Sequence, residues 1–422
     1  MKVFKFGGAS VKDADGVRNI TSVLRKYNQE KLVVVVSAMG KTTNALEKVV
    51  DAWFYKTSDP FTLLEEIKSF HYKILADLFP LNHPVYAEVN NTFVEIEWAI
   101  EEEAHRDFDF EYDQIVSVGE LLSTKIVSAW LNYSKVQNAW IDVRDFLHTD
   151  NTYREGKVNW LLTERLAKEQ LLPFFNLNKN GIIVTQGFIG GTSENYTTTL
   201  GREGSDYTAA IIAYVLDAEC VTIWKDVPGV LNADPKWFDD TVMLEQLSYH
   251  DAIELAYYGA NVIHPKTIKP LQNKHIPLFV KSFVYPESKG TIINAFENEL
   301  PVPSFIFKMN QALISIKPRD FSFIVEENLR DIFNVFARHR LKINVMQNSA
   351  VSFSVSIDDG EKKIPALIDE LMKEFHVLYN QNLELITIRH YDQFTIDRVI
   401  TGKEVLLELK TRNTIQMVVK TL

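Results

Sequence analysis

Short apolar runs alternate with longer amphipathic stretches along roughly the first 290 residues. The apolar runs are rich in β-branched residues and are flanked by turn-forming residues, which favours buried strands. They lie at residues 3–6, 32–36, 182–185, 221–224 and 276–280. The amphipathic stretches predict helices at residues 17–27, 115–132, 207–216 and 252–258. This alternation predicts an α/β fold in which helices sandwich a mostly parallel sheet.

The rhythm breaks at residues 298–304, where Asn-Glu-Leu-Pro-Val-Pro-Ser contains two prolines that fix φ and remove hydrogen-bond donors. We therefore expect a first domain at residues 1–300 and a second at 305–422. The second begins with strand, helix, two strands, helix and strand over about residues 311–384, a split βαβ pattern on a small sheet. Residues 385–422 repeat part of that pattern and predict a truncated second α+β unit.

Composition narrows the class of protein. The chain has 46% hydrophobic and 24% charged residues, which is typical of a folded globular protein. Its formal charge of -11 argues against nucleic acid or an anionic membrane as the main partner, and an anionic substrate would need a local cationic site. The single cysteine, Cys220, excludes a disulfide framework or a multi-thiolate metal site. The N-terminus lacks a secretion signal, and no apolar run reaches about 18 residues, so we expect a cytoplasmic protein.

A glycine-rich turn follows the first predicted strand. In Lys-Phe-Gly-Gly-Ala-Ser, the glycines Gly7 and Gly8 would let backbone N–H groups approach an anion, and Lys5 would supply positive charge. Ser10 closes the turn. This pattern is typical of a phosphate cradle, although Lys5 on an edge strand with its amine in water is an equally good interpretation of the segment alone.

The loop after the second predicted strand imitates a P-loop. Gly40-Lys41-Thr42 matches the end of that pattern, but the first required glycine would fall at Val35, so the P-loop interpretation fails. The loop is either an ordinary strand-to-helix connection or a binding segment for a small substrate. In the second case the hydroxyls of Ser37 and Thr43 are the candidate contacts.

Glu120 lies in the helix predicted at residues 115–132, with Ser117, Ser123 and Thr124 at neighbouring helical positions. Two interpretations stay open. Glu120 either belongs to a solvated helix face, which is usual for glutamate, or accepts the ammonium group of a substrate.

The most specific stretch runs from residue 185 to residue 210, where two glycine-containing loops flank the start of a helix. Ser205 is expected to be the N-cap, and Arg202 can bind a carboxylate through two parallel hydrogen bonds. The free N–H groups at the start of this helix form an anion site. Asp206 suits the helix dipole, which is its structural explanation. Downstream, Lys225 and Asp226 leave a strand at the kind of position where open α/β sheets bind nucleotides.

In this order the motifs resemble those of the aspartokinases, in the amino acid kinase family. The resemblance covers about residues 2–290, and a region similar to ACT regulatory domains follows. The motifs carrying it are Lys5–Ser10, Val36–Ala38 with Thr43–Asn44, Gly119–Ser123, Thr185–Phe188, Leu200–Tyr207, Trp224–Val230, Asp234–Pro235 and Tyr258–Pro265. It implies transfer of the ATP γ-phosphate to the β-carboxylate of L-aspartate, the first step of lysine, threonine and methionine biosynthesis. It also implies Mg²⁺ carried with ATP, without an assigned protein ligand, and a homodimer formed through the ACT-like region.

The resemblance further implies a role for each matching residue. Lys5 would contact the transferring phosphate, and Asp206 would organise Lys5 and the metal-bound nucleotide. Aspartate would be held by Ser37, Thr43, Glu120, Arg202 and Ser205. The nucleotide would be held by Lys5, Gly7, Gly8, Ser10, Lys225, Asp226, Leu231, Lys236, Asn261 and Val262. Four of these depart from the family's usual residues, namely Lys225, Leu231, Lys236 and Asn261.

The regulatory region also departs from the family pattern. Members inhibited by an end-product amino acid commonly have a Gly-Phe turn before the first ACT helix and an aspartate early in the next strand. Here those places hold Glu327-Asn328 and Asn344. The ammonium of an effector would lose its charged partner, so we expect weak or absent inhibition by lysine.

Two other functions remain as alternatives. A related kinase could act on glutamate, acetylglutamate, carbamate or UMP, although such kinases usually lack the Gly-Glu-x-x-Ser and Gly-Arg-x-Gly-Ser-Asp motifs together with an ACT tail. A catalytically silent amino-acid sensor could keep the same fold. A fused homoserine dehydrogenase is not expected, because no G-x-G-x-x-G follows the regulatory region. The sequence assigns no role to a predicted helical insertion at residues 51–113, which is rich in acidic and aromatic residues.

Overall fold

The computed structural model describes residues 1–238, 240–260, 263–296, 302–320, 322–359 and 364–422. Their contacts divide the chain into two compact units. The first comprises residues 1–230, 243–253 and 262–298, and the second comprises residues 231–242, 254–261 and 299–422. Most of the proline-containing segment at which the sequence predicts a domain boundary lies outside the described residues.

The described part of the first unit contains an eight-stranded sheet and a separate hairpin. The strands are β1 (Lys2–Phe6), β2 (Leu32–Val36), β3 (Ala139–Trp140), β4 (Ile182–Gln186), β5 (Ile189–Gly191), β6 (Thr197–Thr199), β7 (Cys220–Lys225), β8 (Gln246–Ser248), β9 (Leu278–Ser282) and β10 (Thr291–Asn294). The order in the sheet is β3-β4-β2-β1-β7-β9-β10-β8, and β5 pairs with β6. Every neighbouring pair in the large sheet is parallel except β9–β10. The predicted α/β class with a mostly parallel sheet is therefore confirmed.

Helices flank this sheet. They are α1 (Ala14–Arg25), α2 (Thr42–Tyr55), α3 (Pro60–Leu78), α4 (Val85–Glu101), α5 (Phe108–Val116), α6 (Val118–Tyr133), α7 (Trp160–Leu177), α8 (Gly204–Val215), α9 (Tyr249–Tyr258) and α10 (Pro265–Asn273). The last part of α9, residues 254–258, belongs to the second unit. The insertion at residues 51–113 is helical, as predicted. The helix predicted at 115–132 is instead two helices, because α5 ends at Val116 and α6 begins at Val118.

The core explains why β1 and β2 are continuous apolar runs. Both faces of a parallel sheet are covered by helices, so its central strands carry few exposed positions. Phe4 and Phe6 of β1 lie in the large apolar cluster with Trp224 of β7, and the rings of Phe6 and Trp224 stack with centroids 5.9 Å apart. Lys5 lies between those phenylalanines on a central strand, which rules out the edge-strand interpretation of this lysine.

The register of the central strands aligns their carboxyl ends. Phe6 is opposite Val36 on one side and Trp224 on the other, and Val36 is opposite Gln186. The segments that leave β1, β2, β4 and β7 therefore start at one edge of the sheet. Open α/β sheets bind their ligands at this edge.

The second unit is an α+β, ACT-like region. Its elements are β11 (Ser304–Pro318), α11 (Glu326–Arg338), β12 (Ile343–Asn348), β13 (Phe353–Asp358), α12 (Ile364–Leu371), β14 (Phe375–Arg389), α13 (Gln393–Ile400), β15 (Lys403–Lys410) and β16 (Thr414–Thr421). In the described residues they form a six-stranded antiparallel sheet in the order β12-β13-β11-β14-β16-β15.

Two long strands join the halves of this sheet. The C-terminal part of β11 pairs with β13 and the start of β14, whereas residues 304–308 pair with residues 385–389 at the end of β14. The register shifts between Lys308 and Gln311, where Asn310 has a φ of 52°. The second predicted unit, residues 385–422, therefore gains a strand from residues 304–308, which precede the first predicted unit. It also contains helix α13, which the sequence did not predict.

Candidate active site

The glycine turn after β1 packs against the loop after β2. A Cβ atom on Gly8 would lie 2.7 Å from the Gly40 carbonyl oxygen and 2.8 Å from that of Ala38. The Gly40 N–H donates to the Gly8 carbonyl at 3.0 Å. A side chain at Gly8 would push these backbones apart, so glycine is required at this position. On Gly7, a Cβ atom would lie 3.2 Å from Lys5 Nζ, which places the lysine ammonium beside the turn.

Lys5 forms a largely buried ion pair with Asp206. Lys5 Nζ lies 2.7 Å from Asp206 Oδ1, and the two side chains are 12% and 4% exposed. Burying two charges carries a desolvation cost that is repaid only by good geometry, so such a pair is weak evidence of a stability role. The pair joins the central strand β1 to the first turn of α8 and fixes the ammonium group near the glycine turn.

The turn into α8 has an unusual backbone. Gly201 has a φ of 72°, and Glu203 has a φ of 54° and is the N-cap. The prediction that Ser205 is the N-cap is therefore wrong, because the helix begins at Gly204. Ser205 is instead buried in the first turn against the loop after β4, where a Cβ atom on Gly187 would lie 2.5 Å from Ser205 Cβ.

Arg202 lies on this turn with an exposed side chain. Its guanidinium forms no ion pair with any residue that the structure describes. Because Ser205 and Asp206 follow within the same short segment, one turn carries an exposed cation, a buried hydroxyl and the partner of Lys5.

Glu120 is buried in α6, so the solvated-face interpretation is wrong. Its side chain is 2% exposed. The Ala38 N–H donates to Glu120 Oε1 at 3.3 Å, and Oε2 has no hydrogen-bond partner within the described ranges. Burial raises the pKa of Glu120 to about 8, although the Ala38 N–H and the nearby charge of Lys5 act in the opposite direction. A buried carboxyl group with one unpaired oxygen can bind a cationic ligand.

Several hydroxyls lie near these groups in the fold. Ser37 and Thr43 are partly buried in the loop after β2 and at the start of α2. Ser10 is buried, and its Oγ has no partner in the part of the chain that the structure describes. The same is true of Ser123 Oγ, one helical turn beyond Glu120, and of Thr185 Oγ1 in β4. The spacing of Ser123 from Glu120 is visible in the sequence.

Asp113 is a buried carboxylate that the sequence analysis missed. Its Oδ2 accepts hydrogen bonds from the Arg154 N–H and the Thr199 N–H, both at 2.8 Å, and Oδ1 accepts one from Thr199 Oγ1 at 2.8 Å. Burial raises its pKa to about 6 against the effect of these bonds. Asp113 lies before the helix predicted at residues 115–132, and its partners Arg154 and Thr199 are distant in sequence, so no local signal marked it.

The residues predicted to bind the nucleotide belong to both units, and two of them lie outside the described residues. Lys225 ends β7 and Asp226 follows it, so both leave the sheet at the edge that carries the glycine turns. Leu231 and Lys236 belong to the second unit. Asn261 and Val262 lie outside the described residues. The structure thus places Gly7, Gly8 and Ser10 directly after β1, the strand that carries Lys5, and the rest of the nucleotide set stays a prediction.

The described ranges contain neither a metal-ligand cluster nor a membrane-spanning helix. Across those ranges, no group of three or more His, Cys, Asp or Glu side chains is arranged to hold a metal ion. No helix there is long and apolar enough to cross a membrane.

The fold and this site match a known class of enzymes. Residues 1–282 match the family model described as the amino acid kinase family, and the chain belongs to that family. Within it, the chain belongs to the aspartokinases. It is 32% identical over 359 residues to lysine-sensitive aspartokinase 3 of Escherichia coli K12, covering 84% of this chain and 78% of that protein. It is 28% identical to aspartokinase 2 of Arabidopsis thaliana, covering 92% and 73%.

Other relatives are longer. A bifunctional aspartokinase/homoserine dehydrogenase of Arabidopsis thaliana is 31% identical, and the match covers 88% of this chain but 42% of that protein. The chain therefore spans about two-fifths of the length of such bifunctional relatives.

Solved structures give the same result for the whole chain. E. coli aspartokinase III in complex with aspartate and ADP, described as the R-state, superposes with a TM-score of 0.83 and 28% identity over 99% of this chain and 96% of that chain. The T-state of the same enzyme, in complex with lysine and aspartate, gives 0.82 and 28% over 99% and 95%.

Proposed function

We propose that this protein is an aspartate kinase that transfers the γ-phosphate of ATP to the β-carboxylate of L-aspartate. The observation that carries this proposal is the buried Lys5–Asp206 ion pair beside the glycine turn at the carboxyl edge of the sheet. It places one fixed ammonium group where a phosphate would approach backbone N–H groups. The named relatives, including one solved with aspartate and ADP, support the same reaction.

The substrate side is built from groups of opposite charge. Glu120 would bind the ammonium of aspartate through Oε2, which has no partner in the described residues. Arg202 would bind the α-carboxylate through two parallel hydrogen bonds. The hydroxyls and N–H groups of Ser37, Thr43 and Ser205 would complete the pocket. A zwitterionic substrate then meets a carboxylate and a guanidinium in fixed places, which explains how a chain of net charge -11 binds an anion.

The chemical step needs little proton transfer. A carboxylate with a pKa of about 3.9 is already ionised at neutral pH, so no general base is required to activate it. Lys5 and the N–H groups of the glycine turn would stabilise the charge on the transferring phosphoryl oxygens. Asp206 would hold the Lys5 ammonium in that position through the 2.7 Å ion pair.

The residues of the glycine turn fit a nucleoside triphosphate. The close backbone approach at Gly8 leaves no room for a side chain, and Ser10 Oγ is buried without a partner in the described ranges. Mg²⁺ would enter with the phosphates and neutralise part of their charge. On the nucleotide side we propose contacts from Gly7, Gly8, Ser10, Lys225, Asp226, Leu231, Lys236, Asn261 and Val262.

We assign residues 1–300 to catalysis and residues 305–422 to regulation, with ACT-like units at about 311–384 and 385–422. A homodimer through the second region is part of the proposal, as is a cytoplasmic location, which the single buried cysteine supports.

A hydroxamate assay tests the proposal. The full chain is incubated with Mg-ATP and hydroxylamine, with aspartate, glutamate, acetylglutamate or no amino acid, and a separate phosphate-transfer assay uses UMP. We expect aspartate hydroxamate as the main product. A product with another acceptor would identify a related kinase, and binding of aspartate without turnover would identify a sensor.

A further inference from the structure

Helix α5 anchors the segment that carries Arg202. Asp113 of α5 is fully buried, with an exposure of 0%. It accepts the N–H and the hydroxyl of Thr199 and the N–H of Arg154, each at 2.8 Å. Thr199 ends β6, three residues before Arg202. One carboxylate therefore joins the end of the β5–β6 hairpin to a second loop that contains Arg154.

The second loop borders the same turn. A Cβ atom on Gly201 would lie 3.2 Å from the Arg154 carbonyl oxygen, and the Gly156 N–H donates to the Thr199 carbonyl at 2.9 Å. Arg154 itself has a φ of 65°. Both backbones that Asp113 holds thus converge on the turn that precedes α8.

The conformation of that turn decides where Arg202 points. Its guanidinium has no ion-pair partner in the described part of the chain, so no protein carboxylate orients it. The turn depends on left-handed conformations at Gly201 and Glu203, and Glu203 Oε2 accepts the His264 N–H at 2.9 Å. Ordering the long side chain of Arg202 on binding has a cost in conformational entropy, and a fixed backbone reduces that cost.

We propose that Asp113 is a positioning residue that sets the Arg202 turn for the carboxylate of the substrate. This inference rests on the proposed function, because it assigns Arg202 to that carboxylate. It also gives the end of the helical insertion a role, since α5 begins within the insertion and Asp113 is the insertion's last residue. Asp113 does not cap its own helix, whose N-cap is Asp107, and its three hydrogen bonds all come from the end of β6 and the Arg154 loop.

The test is a double-mutant cycle between Asp113 and Arg202, measured as the KM for aspartate and the KM for ATP. Asp113→Ala is expected to raise the KM for aspartate about tenfold, the scale of losing a hydrogen bond to a charged group, while the KM for ATP changes less than about twofold. Arg202→Ala is expected to raise the KM for aspartate at least as much. If Asp113 acts through Arg202, Asp113→Ala in the Arg202→Ala background adds less than about twofold. Independent, multiplying effects would overturn the inference.

A matched control separates positioning from general loosening. Gln114 is the next residue of α5 and contacts the same hairpin. Its Nε2 donates to the Thr197 carbonyl at 2.9 Å, and its Oε1 accepts a hydrogen bond from the Thr197 N–H at 3.1 Å. Gln114→Ala leaves the Thr199 and Arg154 contacts in place, so we expect a change in the KM for aspartate below about threefold. An equal effect at Gln114 would show that any damage to the hairpin suffices, against the inference.

A second variant covers the case in which Asp113→Ala does not fold. Asp113→Asn keeps the size of the side chain and one oxygen that can accept both backbone N–H groups, so it should fold and give a smaller, still non-additive effect in the same cycle. Additivity in an active enzyme removes Asp113 from positioning and leaves the proposed function standing. A wild-type chain that does not phosphorylate aspartate removes both.

Discussion

Both units of the molecule place a lysine ammonium among polar side chains, and they differ in how completely those side chains are paired. In the first unit, Lys5 pairs with Asp206, while Glu120 Oε2 and Ser10 Oγ have no partners among the described residues. In the second, Lys308 donates to Asn344 Oδ1 at 2.8 Å. Asn344 Nδ2 in turn donates to Gln311 Oε1 at 2.9 Å and to Asp358 Oδ1 at 2.8 Å.

The difference separates a binding site from a structural cluster. A buried polar atom without a partner costs roughly 1–3 kcal/mol, so a ligand or a water molecule that supplies the missing bond recovers this free energy. The side chains of Lys308, Asn344, Gln311 and Asp358 are paired with one another, and Gln311 Nε2 also donates to Asp358 Oδ1 at 2.8 Å. Changes in the first set should mainly affect activity, and changes in the second should mainly affect stability.

The largest expected effect is at Lys5. Lys5→Ala removes the fixed ammonium beside the glycine turn, and we expect kcat to fall by about 10² or more, the scale of losing one preorganised electrostatic donor. Steady-state kinetics with saturating ATP and aspartate measure this change. Lys2→Ala is the control, because Lys2 is on the same strand and pairs with Glu30 at the opposite end of it, so its removal changes the charge equally. Near-normal turnover of Lys5→Ala would remove Lys5 from the mechanism.

The raised pKa of Glu120 predicts that aspartate binding depends on pH. The pKa of its buried carboxyl is about 8 in the free protein, so the group is mostly neutral at pH 6 and ionised above pH 8. Since an ammonium ligand needs the carboxylate, the Kd for aspartate should fall about tenfold per pH unit from pH 6 towards pH 8 and then level off. Calorimetric titration at several pH values measures this slope.

The variant Glu120→Gln checks the origin of that slope. It should bind aspartate at least about tenfold more weakly at pH 8, and its Kd should be flat from pH 6 to pH 8. The raised pKa of Glu120 means that the free protein loses stability as pH rises through about 8, so Glu120→Gln should melt at a higher temperature than wild type at pH 9. An unchanged slope in the variant would assign the titration to another group.

Much of the fold could be predicted because the signals are local. The β-branched runs at β1, β2, β4, β7 and β9, the helical periodicity of α1 and α8, and the glycine turns all act over a few residues. Lys5 and Asp206 were also singled out by type and motif, although their 2.7 Å contact is a property of the fold.

The rest depends on contacts between distant segments. Asp113 meets Thr199 across 86 positions of sequence, and no local pattern marks such a pair. Strand 304–308 was missed because its partners lie at 385–389, beyond an entire α+β unit. Helix α7 was not predicted either, because it contains Pro173, and a proline within a sequence segment usually indicates that a helix ends there. The burial of Glu120 likewise follows from the packing of α6 on the sheet and not from its polar neighbours.

A smaller effect, on stability, is expected in the second unit. Lys308→Met keeps the aliphatic stem that packs beside Gly259, where a Cβ atom would lie 2.5 Å from Lys308 Cε, but it removes the donor to Asn344. Leaving this acceptor unpaired should cost about 1–3 kcal/mol of unfolding free energy, with kcat within about twofold of wild type. Lys373→Met is the control, because Lys373 is exposed and carries the same charge. Equal melting temperatures of the two variants would contradict a structural role for the cluster.

The smallest expected effect is the response to free lysine. The E. coli relative is named lysine-sensitive, and its T-state was solved with lysine. Here Asn344 replaces the aspartate common in inhibited members, and its Oδ1 already accepts the chain's own Lys308 ammonium at 2.8 Å. A free ammonium would therefore meet an occupied, uncharged acceptor, so we expect activity at about 1 mM lysine to stay within about twofold of its value without lysine. A steep drop at submillimolar lysine would show that the second unit binds the effector through other groups, and would place it with the first unit as a ligand site.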